Sequence, residues 1–229
     1  MVLRTLGTGA ALALLLTLSA CGEDTPAQGK DPAAGATGAA NGDDAGACEY
    51  PSDGSEPARD VEAPPADPSV KGKVEVDLGT SIGAITLTLD ADRTPCTVNN
   101  FVSLAEQGWF DGTDCHRLTT QGIFVLQCGD PTGTSGGGPG YTIPDEVDGS
   151  ETYPAGTVAM AKTMMPDSGG SQFFLVYDET PLPADYTVFG TMDAKGLAAL
   201  RKAAEAGTAD GGTDGAPKTT VTLETAAVA

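Results

Sequence analysis

KVEVDLGTSIGAITLTLD, residues 73–90, alternates. Val74, Val76 and Leu78 share one face of an extended chain, and Ile85, Leu87 and Leu89 do the same after a Gly79-Thr80-Ser81 break. Period two belongs to a strand, and two such runs across a short glycine-containing turn predict a hairpin with one buried side. Beyond it, Thr94-Pro95 supplies an N-cap and a first-turn proline. Val98, Phe101, Val102 and Ala105 then recur at helical spacing before Gly108. Short strand candidates follow at His116–Thr119, Phe124–Gln127, Val158–Lys162, Gln172–Tyr177 and Thr187–Thr191, separated by loops rich in glycine and proline. A second helix is predicted over Asp193–Ala206, capped by Asp193 and stopped by Gly207, and Val221-Thr222-Leu223 reads as a closing strand. Many short strands with two helices predict a mainly β fold, a closed antiparallel barrel, because closure removes exposed edges.

The segments before this region have other compositions. Residues 1–20, MVLRTLGTGAALALLLTLSA, carry one cation, Arg4, and an apolar run too short to cross a bilayer as a helix. Leu18-Ser19-Ala20-Cys21 resembles the lipobox of bacterial lipoproteins. That resemblance implies a signal peptide over 1–20, a lipidated Cys21, and an extracytoplasmic protein anchored to the cell membrane by its acyl chains. Residues 22–70 hold seven Gly, seven Pro and eleven Ala, with no Leu, Ile, Met, Phe or Trp. With Cys21 they are expected to form a disordered acidic tether over 21–70, ahead of one folded domain at 71–229.

The formal net charge of the chain is −20, which excludes binding to nucleic acid or anionic lipid by charge. Four cysteines follow Cys21: Cys48, Cys96, Cys115 and Cys128. In an exported chain they allow two bridges, of which Cys96–Cys115 is the preferred expectation. No pair has the spacing of zinc ligands and the chain has one histidine, so neither a metal nor a cofactor is expected.

The stretch CHRLTTQGIFVLQCGD, residues 115–130, places that histidine and Arg117 ahead of an apolar return strand. In GGSQFFLVYDE, residues 169–179, Phe173 and Phe174 must point to opposite faces of a strand, one to the core and the other outside or into a cleft. With Ala159-Met160-Ala161 and Val188-Phe189-Gly190, the order of these motifs resembles that of the cyclophilin family of peptidyl-prolyl cis-trans isomerases. The resemblance runs from about residue 73 to the C-terminus and implies a closed eight-stranded antiparallel β-barrel capped by two α-helices. By the same resemblance Arg117 falls on the catalytic arginine. Phe124, Val125, Phe174, Leu182 and Tyr186 fall on the proline pocket, Gln127 and Gln172 on its polar rim, and Met160, Ala161 and Lys162 on the strand that binds the substrate backbone. Proline-containing polypeptides are the implied partners, with the protein acting as a monomer. The chain departs from the family at Pro181, where many members have a tryptophan, which implies weak cyclosporin binding. It departs again at Tyr186, Lys162-Thr163 and Cys128, and in a loop after Arg117 longer by about two residues.

The chemistry suits such a residue set. Rotation about an X-Pro bond must break amide resonance, a barrier of about 18–20 kcal/mol, and no covalent bond changes. In the twisted state the proline nitrogen gains a lone pair that a fixed guanidinium can meet, while an apolar wall anchors the ring. His116 precedes Arg117 on a strand, so the two side chains face opposite ways and His116 is assigned a structural role. Met164 and Met165 read as an exposed loop. A second reading keeps the groove as a proline-peptide-binding chaperone module with weak or no turnover.

Overall fold

The computed structural model describes residues 47–229. Strands β1 (Lys73–Thr80) and β2 (Ile85–Asp90) form the hairpin, in a register that runs from Lys73 opposite Asp90 to Leu78 opposite Ile85. Helix α1 (Pro95–Glu106) follows, then β3 (Thr113–Asp114), β4 (Arg117–Thr119) and β5 (Val125–Cys128). After a long loop come β6 (Thr157–Met160), β7 (Phe173–Val176), β8 (Val188–Met192), α2 (Ala194–Ala204), β9 (Asp214–Gly215) and β10 (Thr222–Val228).

All ten strands join one antiparallel sheet in the order β3-β10-β1-β2-β8-β6-β7-β5-β4-β9. Two residues separate β3, at one end of this order, from β4 near the other, and at about 3.3 Å per residue that link requires the sheet to curl. The strands form a curled antiparallel sheet of ten, and among the described residues β3 and β9, at its two ends, do not pair to close the expected eight-stranded barrel. The two additional strands, β3 and β9, are two residues long, too short for any period to register.

Alternation sorts the apolar residues into two clusters. Val76, Leu78, Leu87, Leu126, Phe173, Leu175 and Phe189 face inward, where they meet Phe101 and Leu104 of α1 and Leu200 of α2. Val125, Ala159, Phe174 and Val176, one residue out of step, form a smaller cluster on the other face with Tyr153. Phe101 stacks on Phe110 at 4.8 Å and meets Phe173 edge-on at 5.2 Å.

The helix ends differ from expectation in one respect. Asp193 caps α2 as predicted, its carboxylate accepting from the backbone N–H groups of Lys195 and Gly196. Thr94 does not cap α1, because its hydroxyl turns back to donate to the Asp90 carbonyl. Glu146, from the long loop, accepts instead from Cys96 N–H at 2.9 Å and Thr97 N–H at 2.8 Å, placing a negative charge at the positive end of the helix.

The disulfides are Cys48–Cys96 and Cys115–Cys128, which overturns the expected Cys96–Cys115. Arg117 pairs with Gln127 across β4 and β5, so Cys115 and Cys128 sit one step from direct opposition. Cys96, in the first turn of α1, faces the incoming chain at Cys48 instead. Residues 47–70 likewise depart from the expected disordered tether and form an extended strap over the domain. Arg59 donates to the carbonyls of Gly108, Trp109 and Asp111, Gln107 and Glu62 exchange two hydrogen bonds, and Asn99 donates to Tyr50 and Pro65. The strap has no core of its own; a disulfide, polar bonds to α1 and the turn that follows it, and the packing of Tyr50, Ala58, Val61 and Val70 on the domain core hold it. The signal segment, Cys21 and residues 22–46 lie outside the described residues.

Candidate active site

The smaller apolar cluster floors a cleft of about 180 Å³ on the outer face of the sheet. Phe174 and Val125 are buried at its base, with Ile123, Ala161, Leu182 and Tyr186 around them and Arg117 and Gln127 along one side. The Tyr186 ring meets Phe174 edge-on, with centroids 5.6 Å apart. A cavity below the roughly 300 Å³ typical of small-molecule sites holds one small ring rather than a nucleotide.

Loop 182–186 carries two of these walls and is held by Tyr153. The buried Tyr153 hydroxyl shares its one proton between the carbonyls of Pro183 and Tyr186 and accepts from the N–H groups of Asp185 and Tyr186, all within 3.0–3.2 Å.

Arg117 is clamped. Its Nε and Nη2 donate to the two carboxylate oxygens of Asp214, both at 2.7 Å, and its Nη1 donates to Gln127 Oε1 at 3.3 Å. Asp214 belongs to β9, which pairs with β4, so the fork and its partner lie on adjacent strands. The hydrogen bond to Asp214 raises the guanidinium's pKa and lowers that of the carboxylate. Of five guanidinium N–H donors three are engaged, leaving one on each Nη for a substrate. Gln127 passes the order on by donating to Gln172 Oε1 at 2.8 Å, and Gln172 donates in turn to the carbonyls of Ser135 and Gly137.

Lys162 lies between the cleft and a larger neighbouring pocket. Its ammonium pairs with Asp145 at 3.0 Å and Asp185 at 3.1 Å. Burial pulls its pKa down, but hydrogen bonds and charge from the two carboxylates outweigh this, and the net shift is upward. Among the described residues the Ala161 carbonyl and the Lys162 N–H make no hydrogen bond, which leaves backbone open to an extended peptide beside the cleft.

The cleft thus brings together Arg117, Val125, Gln127, Ala161, Lys162, Phe174, Leu182 and Tyr186. Gln172 lines the adjoining pocket. One expected pocket residue is corrected. Phe124 points away from the cleft and packs against Tyr177, with centroids 5.9 Å apart, because alternation along β5 cannot turn both Phe124 and Val125 to one face. Ile123 fills the wall in its place, as parity with Val125 and Gln127 dictates. The Met160 side chain belongs to the interior cluster by the same rule, and its N–H donates to the Thr187 carbonyl. Neither Tyr153 nor Asp214 carries a signal in the sequence, since each acts through contacts distant along the chain. His116 is turned from the cleft, its buried ring nitrogens without a hydrogen-bond partner among the described residues, and burial lowers its pKa although Asp130 opposes this.

The family model described as cyclophilin type peptidyl-prolyl cis-trans isomerase/CLD matches residues 75–228. The chain belongs to the cyclophilin family. The chain is 46% identical over 194 residues to "Probable peptidyl-prolyl cis-trans isomerase B" of Mycobacterium tuberculosis (strain ATCC 25618 / H37Rv), covering 77% of this chain and 62% of that protein. It is 45% identical over 108 residues to "Peptidyl-prolyl cis-trans isomerase B" of Bacillus subtilis (strain 168), covering 46% and 73%. The chain therefore spans under two thirds of the length of its mycobacterial relative. A crystal structure of a cyclophilin-type isomerase from Cryptosporidium parvum superposes with a TM-score of 0.61 at 26% identity, covering 69% of this chain and 98% of the other. A second structure of that protein, determined in the presence of the dipeptide Ala-Pro, gives a TM-score of 0.60 at 27% identity, covering 68% and 98%. The cyclophilin fold and the cleft lie within the matched region. Residues 47–70 precede it.

Proposed function

We propose that the chain is a peptidyl-prolyl cis-trans isomerase that acts on X-Pro bonds of exported proteins. The observation that carries the reading is a clamped guanidinium, with two N–H groups to spare, beside an apolar cleft sized for one ring. The proline ring seats on Phe174 and Val125 while the preceding residue turns. As the imide twists, the nitrogen pyramidalises and accepts from Arg117, a bond unavailable in either planar form. An acceleration of 10⁵ requires about 7 kcal/mol, within reach of one charge-assisted bond plus anchoring. Two disulfides support an oxidising, extracytoplasmic location. A lipid on Cys21 would anchor the protein to the membrane, where it acts as a monomer without cofactor or metal.

Proline-limited refolding of a model protein tests this. The chain accelerates the slow phase and Arg117→Ala loses at least tenfold in kcat/KM, whereas full activity in that variant rejects the mechanism. The chaperone-module reading draws on Lys162, whose side chain is committed to two aspartates beside the substrate path. It predicts undiminished suppression of client aggregation by Arg117→Ala.

A further inference from the structure

Three loops meet at the edge of the cleft: Asp145 from the long loop between β5 and β6, residues 163–168 between β6 and β7, and loop 182–186 between β7 and β8. The Lys162 ammonium lies where they converge. It pairs with Asp145 at 3.0 Å and with Asp185 at 3.1 Å, and only 5% of its side chain is exposed. Asp145 extends the link. Its Oδ2 also accepts from the Asp167 N–H at 3.0 Å, and its own N–H donates to Asp167 Oδ1 at 2.8 Å. Asp167 has a left-handed φ of +53°, uncommon for a residue with a β-carbon, and this pair of bonds holds it there.

The two carboxylates on Lys162 differ in setting. The Asp145 side chain is 14% exposed and that of Asp185 62%, so one arm is sheltered and the other stands in water. Salt screens a sheltered pair weakly and an exposed one strongly. Asp185 belongs to the loop that supplies the Leu182 and Tyr186 walls of the cleft. Tyr153, in the apolar cluster beneath, holds the backbone of that loop through the Asp185 and Tyr186 N–H groups. Lys162 holds it a second time, through a side chain, and ties it to the two loops on the other side.

We propose that Lys162 is a positioning residue for the isomerisation: through Asp185 its ammonium fixes loop 182–186, and with it the Leu182 and Tyr186 walls, against Asp145 and the 163–168 loop. The inference rests on the isomerase reading. The walls seat the proline ring alike in both planar forms and in the twisted one, so loosening them weakens all three equally, and KM rises while kcat holds. Arg117 differs, since its bond to the imide nitrogen forms in the twisted state alone. Because the Asp185 arm is exposed, the seating of even an uncharged peptide depends on salt.

The test uses the full chain and a capped, uncharged Ala-Pro peptide followed by NMR. Lys162→Met, which keeps the length of the side chain and removes its charge, raises KM roughly three- to tenfold, the cost of ordering loosened side chains on binding, with kcat little changed. Lys162→Arg restores most of the loss. Asp185→Asn keeps the sheltered pair and raises KM less, so the test does not depend on Lys162→Met folding. The parent's KM rises from low to high salt, and Asp185→Asn no longer shows that rise. In Lys162→Met the amides of Asp185 and Tyr186 exchange their hydrogens faster. A parental KM in both variants, a loss confined to kcat, or unchanged exchange at those two amides overturns the proposal. Should the parent turn no peptide over, the isomerase reading fails separately, and the positioning role is read from amide exchange and peptide dissociation constants.

Discussion

Replacing Asp214 isolates what orients the guanidinium. In Asp214→Ala, Arg117 loses two bonds of 2.7 Å and keeps one of 3.3 Å to Gln127. The pair is far from buried, with side chains 37% and 52% exposed, so solvent screens it and the stability lost is at most about 1 kcal/mol. That lowers Tm by no more than roughly 4 °C for a domain of this size. Activity should suffer more. A freed arginine must be immobilised again in the transition state, which costs about 0.5–1.5 kcal/mol, or roughly two- to twelvefold in rate. The loss falls on kcat, since the lone pair that Arg117 meets exists only in the twisted imide. A contrary effect also operates: removing a carboxylate leaves the guanidinium's field less neutralised. Asp214→Asn separates the two, because it keeps an acceptor while removing the charge. If orientation dominates, Asn loses less than Ala, and Arg117→Ala/Asp214→Ala is no slower than Arg117→Ala alone. The assay is NMR-detected exchange on a proline peptide. Equal or faster exchange in Asp214→Ala would refute the reasoning.

Two further substitutions probe the scaffold. Tyr153→Phe removes the hydroxyl that holds loop 182–186, leaving partners of four hydrogen bonds to water or to each other; about 1–3 kcal/mol of stability is lost and KM rises as the Leu182 and Tyr186 walls loosen, so an unchanged KM would detach Tyr153 from the cleft. His116, the chain's one histidine, is held by burial below the ordinary value of 6.5. Between that value and its lower folded pKa the unfolded chain binds a proton that the native one refuses, so stability falls as pH drops below about 6.5 and is level above it. Urea titrations at pH 7.5 and 5.5 should show this slope in the parent and its absence in His116→Leu; the same slope in both would assign it elsewhere.

The sequence disclosed most where alternation had an unambiguous phase. The 73–90 hairpin, α1, α2 and the central strands fall within a few residues of expectation, because each buries a periodic face. What failed was of two kinds. The motif points Phe124 into the pocket against the parity of its own strand, and parity wins: Ile123 and Val125, on either side of it, face the cleft. Asp214, Tyr153, Glu146 and the strap act through contacts across 97, 33, 50 and about 50 residues, distances over which composition and periodicity carry no information.

The strap shows why composition misled. A segment with no leucine, isoleucine or phenylalanine cannot bury a core of its own, and disorder is the sound inference for it in isolation. Here the apolar core belongs to the domain beneath, on which Tyr50, Ala58, Val61 and Val70 of the strap pack, and the strap's polar groups find partners there as well. Asn99 and Gln107 of α1 and its C-cap, three carbonyls after the helix, and the bare edge at 138–142 supply them. The same argument locates function on the far face. β7 spends Phe173 on the core and so must present Phe174 to the outside, where an exposed ring on a rigid strand is stable only if neighbours wall it in. Leu182 and Tyr186 do so incompletely, and the opening they leave stands under Arg117. The cleft is thus a consequence of strand geometry, and the loops that line it decide which peptides it admits.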